Sequence, residues 1–479
     1  MHPCLGAPPT TISRAVRDAA RGEAGRFPVM IAVPRWRRPL AAGLISASLL
    51  GLSCSDSEPP AEHPTETRET VQGIASAQDP PPPRRSGRWL RARTRPGRGE
   101  RIESAAEKIN AVGYVGGSRP APAARGVVRH DRAHASPGIN FLTSGHAPEA
   151  ALIDMDGSVI HTWRAEFWDV WPDYEMRDAR PGTEYWRRAW LFENGDILAI
   201  VADLGIMKLD RDSCLIWANA CRAHHDLEVL PNGDIYLLAR ETRLVERIDS
   251  ETPVFDDIVL LFDAEGREKS RISLMACFEK SKLSIPSPGD RPPRNRDLFH
   301  TNSLRVLDGV SAHRLPAFAS GNILVSILKL DTVAIVDPAR REVVWTFRGD
   351  FSRQHDAQML SNGRLMLFDN QGRTGRSAVQ EYDPISGSKE WEFRGSDEEP
   401  FYSHTCGAAQ RLPNGNTLLI ESDNGRALEI APAGGVVWEY YNPHRAGPND
   451  QFIAALFDLR RLPLDFPIGW TGEVRTSHE

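Results

Sequence analysis

The chain has 479 residues, 41% of them hydrophobic and 25% charged, with a formal net charge of −6. That composition is enough for a large buried core, and its acidic balance argues against a nucleic-acid partner. The charge is uneven: arginines at 84, 85, 88, 91, 93, 95, 98 and 101 crowd one N-terminal segment, so the remainder is more acidic than the total.

At the N-terminus, Arg35, Arg37 and Arg38 precede an apolar, small-residue run over 40–52, followed by Ser53, Cys54 and a polar, proline-rich stretch. Positive, then apolar, then small is the order of an export signal, and the run is shorter than the roughly twenty residues a spanning helix needs. Met30, a short distance ahead of these arginines, is the expected translation start. Cys54 stands where a bacterial lipoprotein carries its lipid, although Gly51 takes the place of the usual leucine. An uncleaved anchor and a plain secretory signal are the alternatives. All three place the rest of the chain outside the cytoplasm, periplasmic or held at a membrane only by the N-terminal anchor. From 55 to about 101 there is little apolar periodicity, which reads as a disordered tether. Its arginines are either solvated or drawn to anionic headgroups. Residues 102–112 have helical character and stop at Gly113. Four cysteines lie beyond the leader, Cys214, Cys221, Cys277 and Cys406; in an exported protein Cys214 and Cys221 are the expected pair by proximity.

After Gly126 the chain turns into short apolar runs punctuated by Gly, Asn, Asp and Pro, the signature of an all-β fold. The runs repeat. His355 to Leu360, the turn at Ser361-Asn362-Gly363, an apolar run to Asp369, a third strand to Tyr382, the turn at 383–387 and a last strand to Phe393 make one unit of about forty residues, the length of a propeller blade. The closing strand ends at Trp163, Trp217, Trp345, Trp391 and Trp438. Six units follow, at about 138–163, 185–217, 225–274, 300–347, 355–393 and 404–440, and they predict a six-bladed β-propeller, with five or seven blades as the alternatives because the first and last repeats can be shared across a closure. The expected division is a leader over 1–54, a linker with a short helix over 55–112 and the propeller over 113–479. Two insertions, at 168–183 and 276–299, interrupt the rhythm as pocket-shaping loops or ordinary excursions.

His225, His300, His355 and His404 each precede an inner-strand run, and taken as occupying one place in the repeat they should crowd one mouth of the central channel. Asp226 and Asp356 follow two of them. Neighbouring strand residues point to opposite faces, so these aspartates are expected to tie blades together rather than to touch the rings.

Several motifs in order carry a resemblance: R-G-V-V-R-H-D at 125–131, P-G-I-N-F-L-T-S at 137–144, A-L-I-D-M-D-G-S-V-I-H-T-W at 151–163, F-H-T-N-S-L at 299–304, Q-H-D-A-Q-M-L-S-N-G at 354–363 and R-L-P-N-G-N-T-L-L-I-E at 411–421. Together they resemble the bacterial arylsulfotransferase family. The resemblance implies an exported six-bladed propeller that moves a sulfuryl group between phenols and aryl sulfates through a sulfohistidine, with no cofactor and no metal. It implies His404 as the sulfated residue, with His355 as the alternative because Asp356 follows it whereas Thr405-Cys406-Gly407 follow His404. It further implies catalytic roles for His225 and Arg373, and substrate binding by His300, Asn302 and Arg376. From the residues alone, four converging histidines also suit a non-haem metal oxygenase, and a propeller also suits a non-catalytic binding platform outside the cytoplasm.

Overall fold

The computed structural model describes residues 89–90, 121–174, 182–246, 248–281, 296–372 and 376–472. Among them, six sheets of four or five antiparallel strands follow one another as six blades. The leader, the expected helix over 102–112 and Arg373 lie outside the described residues, as do the middles of both insertions. No helix of the described residues is long and apolar enough to cross a membrane.

Blades two to five are each built from four consecutive strands, running outward from the channel. They are Arg188–Leu191, Ile197–Val201, Gly205–Leu209 and Leu215–Asn219; Ala223–Val229, Ile235–Val245, Asp249–Phe262 and Glu268–Ser273; Thr301–Val306, Ile323–Ile327, Thr332–Asp337 and Glu342–Phe347; and His355–Met359, Leu365–Asp369, Ala378–Tyr382 and Lys389–Phe393. The sixth blade has Ala408–Arg411, Thr417–Glu421, Arg426–Ile430 and Val436–Tyr441, with Gly126–His130 added outside as a fifth strand. The first has Ile139–Ser144, Glu149–Ile153 and Val159–Arg164, and takes its innermost strand, Leu456–Leu462, from the end of the chain. The ring is thus closed twice, on an inner and an outer edge. Trp89–Leu90, within the stretch expected to be a tether, pairs with Phe452–Ala454.

Local chemistry explains the repeat. At each Asn-Gly turn the asparagine Oδ1 accepts the backbone N–H two residues on, as in Asn194 to Asp196 and Asn414 to Asn416, both at 3.1 Å. The glycine then takes a left-handed backbone, +88° in φ at Gly195, where a Cβ would also lie 2.7 Å from the Trp470 ring. The middle strands are apolar along their whole length because both faces meet a neighbouring blade: every residue of Ile197–Val201 and Leu365–Asp369 is buried.

The closing-strand tryptophans staple one blade to the next. Trp163 Nε1 donates to Gly195 O at 2.9 Å, Trp217 Nε1 to Ala264 O at 3.2 Å, and Trp438 Nε1 to Met155 O at 2.9 Å across the closure. Trp391 takes the Arg411 guanidinium of the sixth blade over its ring at 5.1 Å. Trp438→Phe keeps an aromatic ring but removes the donor to the part-buried Met155 carbonyl, so it should cost about 1 kcal/mol, read as a lower urea midpoint with unchanged slope. The expected Cys214–Cys221 pair is not formed, because Cys221 is a thiol, its pKa pushed up to about 12 by burial.

Candidate active site

Five inner strands begin at one mouth of the channel, and what each presents there depends on its register. Phe192, Leu230, Leu307, Leu360 and Leu412 all open the turn after the inner strand, each donating its N–H across that turn. Five residues before them stand Arg187, His225, Asn302, His355 and Gly407. The expectation that the four histidines share one place in the repeat is therefore corrected. His225 and His355 share it; His300 lies two residues ahead of it and His404 three, in the loop before Ala408–Arg411. Arg187 holds the position in the second blade and was missed, although the same count from the Asn194-Gly195 turn finds it in the sequence.

Bulges aim these side chains. The pairing register shifts between Ala223 and Leu227, between Thr301 and Ser303, and between His355 and Gln358. His225, His300 and Asp356 take left-handed backbone, with φ of 57°, 52° and 48°. Such strain on non-glycine residues persists only where the surroundings over-determine it, and it concentrates at functional sites.

His355 is 5% exposed. Its Nδ1 lies 2.7 Å from Asn370 Oδ1 and 3.2 Å from Arg353 O, two acceptors, so Nδ1 carries the proton and Nε2 a lone pair. Asn370 cannot turn round, because its Nδ2 donates to Ser403 O at 2.9 Å and to Cys406 O at 2.5 Å. Burial, with Arg187 and His300 as cationic neighbours, outweighs the Asn370 bond and lowers the His355 pKa to about 3. The ring is neutral throughout the physiological range.

His300 and His225 face one another edge to face, ring centroids 4.8 Å apart. His300 Nδ1 lies 2.5 Å from Asp297 Oδ2, which directs its other nitrogen outward. Asp297 closes the second insertion. Burial opposes its charge, but the His300 bond and the charges of His300, Arg240 and Lys329 hold its carboxyl far below the usual range. His225 Nδ1 meets His224 Nδ1 at 2.8 Å, and His224 Nε2 meets Ala239 O at 3.0 Å. His224 must then donate through Nε2 and accept at Nδ1, so neutral His225 donates through Nδ1 and keeps its lone pair on Nε2. Part of the His225 ring still faces the funnel; even so, desolvation, then His300, His224, Arg187 and Arg240, place its pKa well below the ordinary value.

His404 is set the other way. Its Nδ1 is approached by the Gln371 Nε2 donor at 3.3 Å and by the Tyr402 hydroxyl, which is free to donate to it, at 3.0 Å, so Nδ1 accepts and Nε2 carries the proton. Arg187 reaches across the mouth to Cys406 Sγ at 3.4 Å and stacks its guanidinium 5.0 Å from the Phe457 centroid. Asn302 is buried and donates to Gln354 O at 2.8 Å, leaving its Oδ1 with no partner among the described residues. Arg376 is paired with Asp397 at 2.7 Å. Among the described residues, no three of the funnel histidines bring ring nitrogens within 4.8 Å of one another.

Below the histidines lies a separate ion network. Asp226 accepts from Leu304 N at 3.0 Å and pairs with Arg188 at 3.0 Å and Arg305 at 2.6 Å, while Asp356 accepts from Ala409 N at 3.0 Å and pairs with Arg305 at 2.6 Å. The two aspartates tie blades together, as their alternation with the histidines implies.

Among curated proteins none matches this chain. Solved structures similar to it include a protein of unknown function from Bacteroides caccae (TM-score 0.43, 14% identity, 67% of this chain and 99% of that one). Others are a streptogramin B lyase (0.37, 10%, 72% and 95%) and BamB from Moraxella catarrhalis (0.32, 10%, 68% and 83%). The family model for arylsulfotransferase (ASST) matches residues 189–443, more than half of the 479. The chain belongs to the arylsulfotransferase family, the catalysts of aryl sulfotransfer.

Proposed function

We propose that this protein carries a sulfuryl group from an aryl sulfate to a phenol through a sulfohistidine on His355. One observation carries that choice: Asn370 and burial hold His355 neutral with its lone pair on Nε2. A nucleophile must offer a lone pair, and His404 in its present bonding offers a proton instead.

In the first half-reaction His355 Nε2 attacks sulfur, the N–S bond forms and the S–O bond breaks with its electron pair on the phenolate. His300, entering as an imidazolium paired through Nδ1 with Asp297, gives that phenolate the proton on its other nitrogen and becomes neutral. In the second half-reaction the acceptor phenol surrenders its proton to His300, its oxygen attacks sulfur, and the N–S bond breaks to restore His355. His225 stands beside His300 as a relay. The transition state is loose, with charge on the peripheral sulfuryl oxygens, so fixed donors matter most. Arg187, and His404 through Nε2–H, are the donors proposed for them; Arg187→Ala should lower kcat/KM about 10²-fold, measured with an aryl sulfate and a phenol acceptor.

Export, the leader's lipid anchor and the domain division at residues 54 and 112 belong to the same proposal, supported by the order of charged and apolar residues in the first 54 positions. The test is digestion of protein quenched after reaction with an aryl sulfate. A sulfuryl mass should sit on the peptide holding His355; its appearance on the His404 peptide instead would reverse the assignment.

A further inference from the structure

Away from the funnel histidines, His146, Glu149 and His444 bring one ligand atom each within 4.8 Å of one another. His146 and Glu149 belong to the loop and strand of the first blade, whereas His444 follows the last strand of the sixth. The group therefore straddles the closure of the ring. The two imidazoles lie face to face, ring centroids 3.4 Å apart and 7° from parallel.

We propose that these three residues form a binding site for a divalent transition ion of the zinc class, which clips the closing blades together. Two imidazoles and one carboxylate are a donor set that suits zinc and leaves a fourth position open. The surroundings orient the ligands as an outer shell does. His146 Nδ1 lies 3.0 Å from the buried Ser144 Oγ, which in turn accepts from Asn442 Nδ2 at 2.7 Å. That bond leaves His146 Nε2, 2.8 Å from Glu149 Oε1, facing the carboxylate it would share an ion with. The backbone of His444 is pinned on both sides, its N–H donating to Asn442 Oδ1 at 3.2 Å and its carbonyl accepting from Ala454 N at 3.1 Å. Arg164, 3.3 Å from Glu149 Oε2, is the cation an arriving metal would compete with.

An ion that binds only the folded chain stabilises it by mass action. The experiment uses the full, tag-free chain, stripped with a chelator and titrated with Zn²⁺, Co²⁺ and, as a control, Mg²⁺. One Zn²⁺ per chain is expected, with a rise in Tm that Mg²⁺ does not reproduce. His444→Ala should weaken Zn²⁺ binding about 100-fold or more and Ser144→Ala about 10-fold or more; His355→Ala should leave binding unchanged. Should His444→Ala fail to fold, Co²⁺ on the intact chain serves instead, where a four-coordinate visible spectrum lost in Glu149→Gln supports the site. No stoichiometric Zn²⁺, binding retained in His444→Ala, or binding abolished by His355→Ala would overturn the proposal. Since the readouts are binding and Tm, failed sulfuryl transfer would leave this result standing.

Discussion

His355→Ala should abolish sulfuryl transfer, with kcat/KM falling about 10³-fold or more, because the change removes the atom to which sulfur becomes bonded. His404→Ala should cost less, about 10–10²-fold, since that residue supplies a hydrogen bond rather than a covalent intermediate. The release of product distinguishes the two roles. With a chromogenic aryl sulfate and no acceptor, the wild-type protein should release one phenol per chain in a burst, and His404→Ala should release the same amplitude more slowly. His355→Ala should show no burst. Asn370→Ala provides the gradation between them: the ring stays but loses the partner that fixes its tautomer. A burst that survives in His355→Ala and vanishes in His404→Ala would show that the sulfuryl group is carried by the later residue.

Acid should unfold this protein earlier than its carboxylates alone would require. His224 and His355 have pKa values lowered to about 3, and His225 lies well below the ordinary value, all three chiefly through burial. A free imidazole titrates near 6.5, so below that pH the unfolded chain binds protons which the folded chain refuses. The stability from these groups is complete above about pH 6.5 and is lost as the pH falls below it. At pH 5 His224 and His355 should each cost about 2 kcal/mol, about 4 kcal/mol together, and His225 acts in the same direction. Asp369, raised to about 6 by burial, works in the opposite direction, and its penalty relaxes by about 1–2 kcal/mol between pH 7 and pH 5. Asp256, Glu228 and Glu421, also raised by burial, add to that relief. A net loss of stability is expected, visible as a fall in the urea midpoint from pH 7 to pH 5. His224→Gln should flatten that dependence while leaving the channel residues in place. A midpoint that stays level or rises over this range would contradict the protonation states on which the mechanism depends.

The register of His404 marks the limit of reading the site as a repeated pattern. A histidine before an apolar run and an Asn-Gly turn looks the same whether it is five or eight residues from the turn. Only the count separates His355 from His404, and the same count brings in Arg187, which no motif marks. The partners that set each tautomer were less accessible still. Asn370 is fifteen residues from His355 and Asp297 lies at the end of an insertion, so neither pairing follows from strand periodicity. The bulges at the strand openings also break the strict alternation on which such periodicity rests.

By itself the sequence determined the all-β class, the blade repeat, the tryptophan and Asn-Gly fixtures and the family, because these depend on short-range chemistry: turn residues, alternating burial and motifs within one strand. It also brought the histidines to one mouth, since every inner strand of a propeller starts at the same face. Tertiary structure decided how the ring closes, with Leu456–Leu462 inside the first blade and Gly126–His130 outside the sixth. It decided too which nitrogen of each histidine carries the proton. Both depend on groups far apart in the chain, and a lone pair is directed by whichever donor or acceptor the fold places beside the other ring nitrogen.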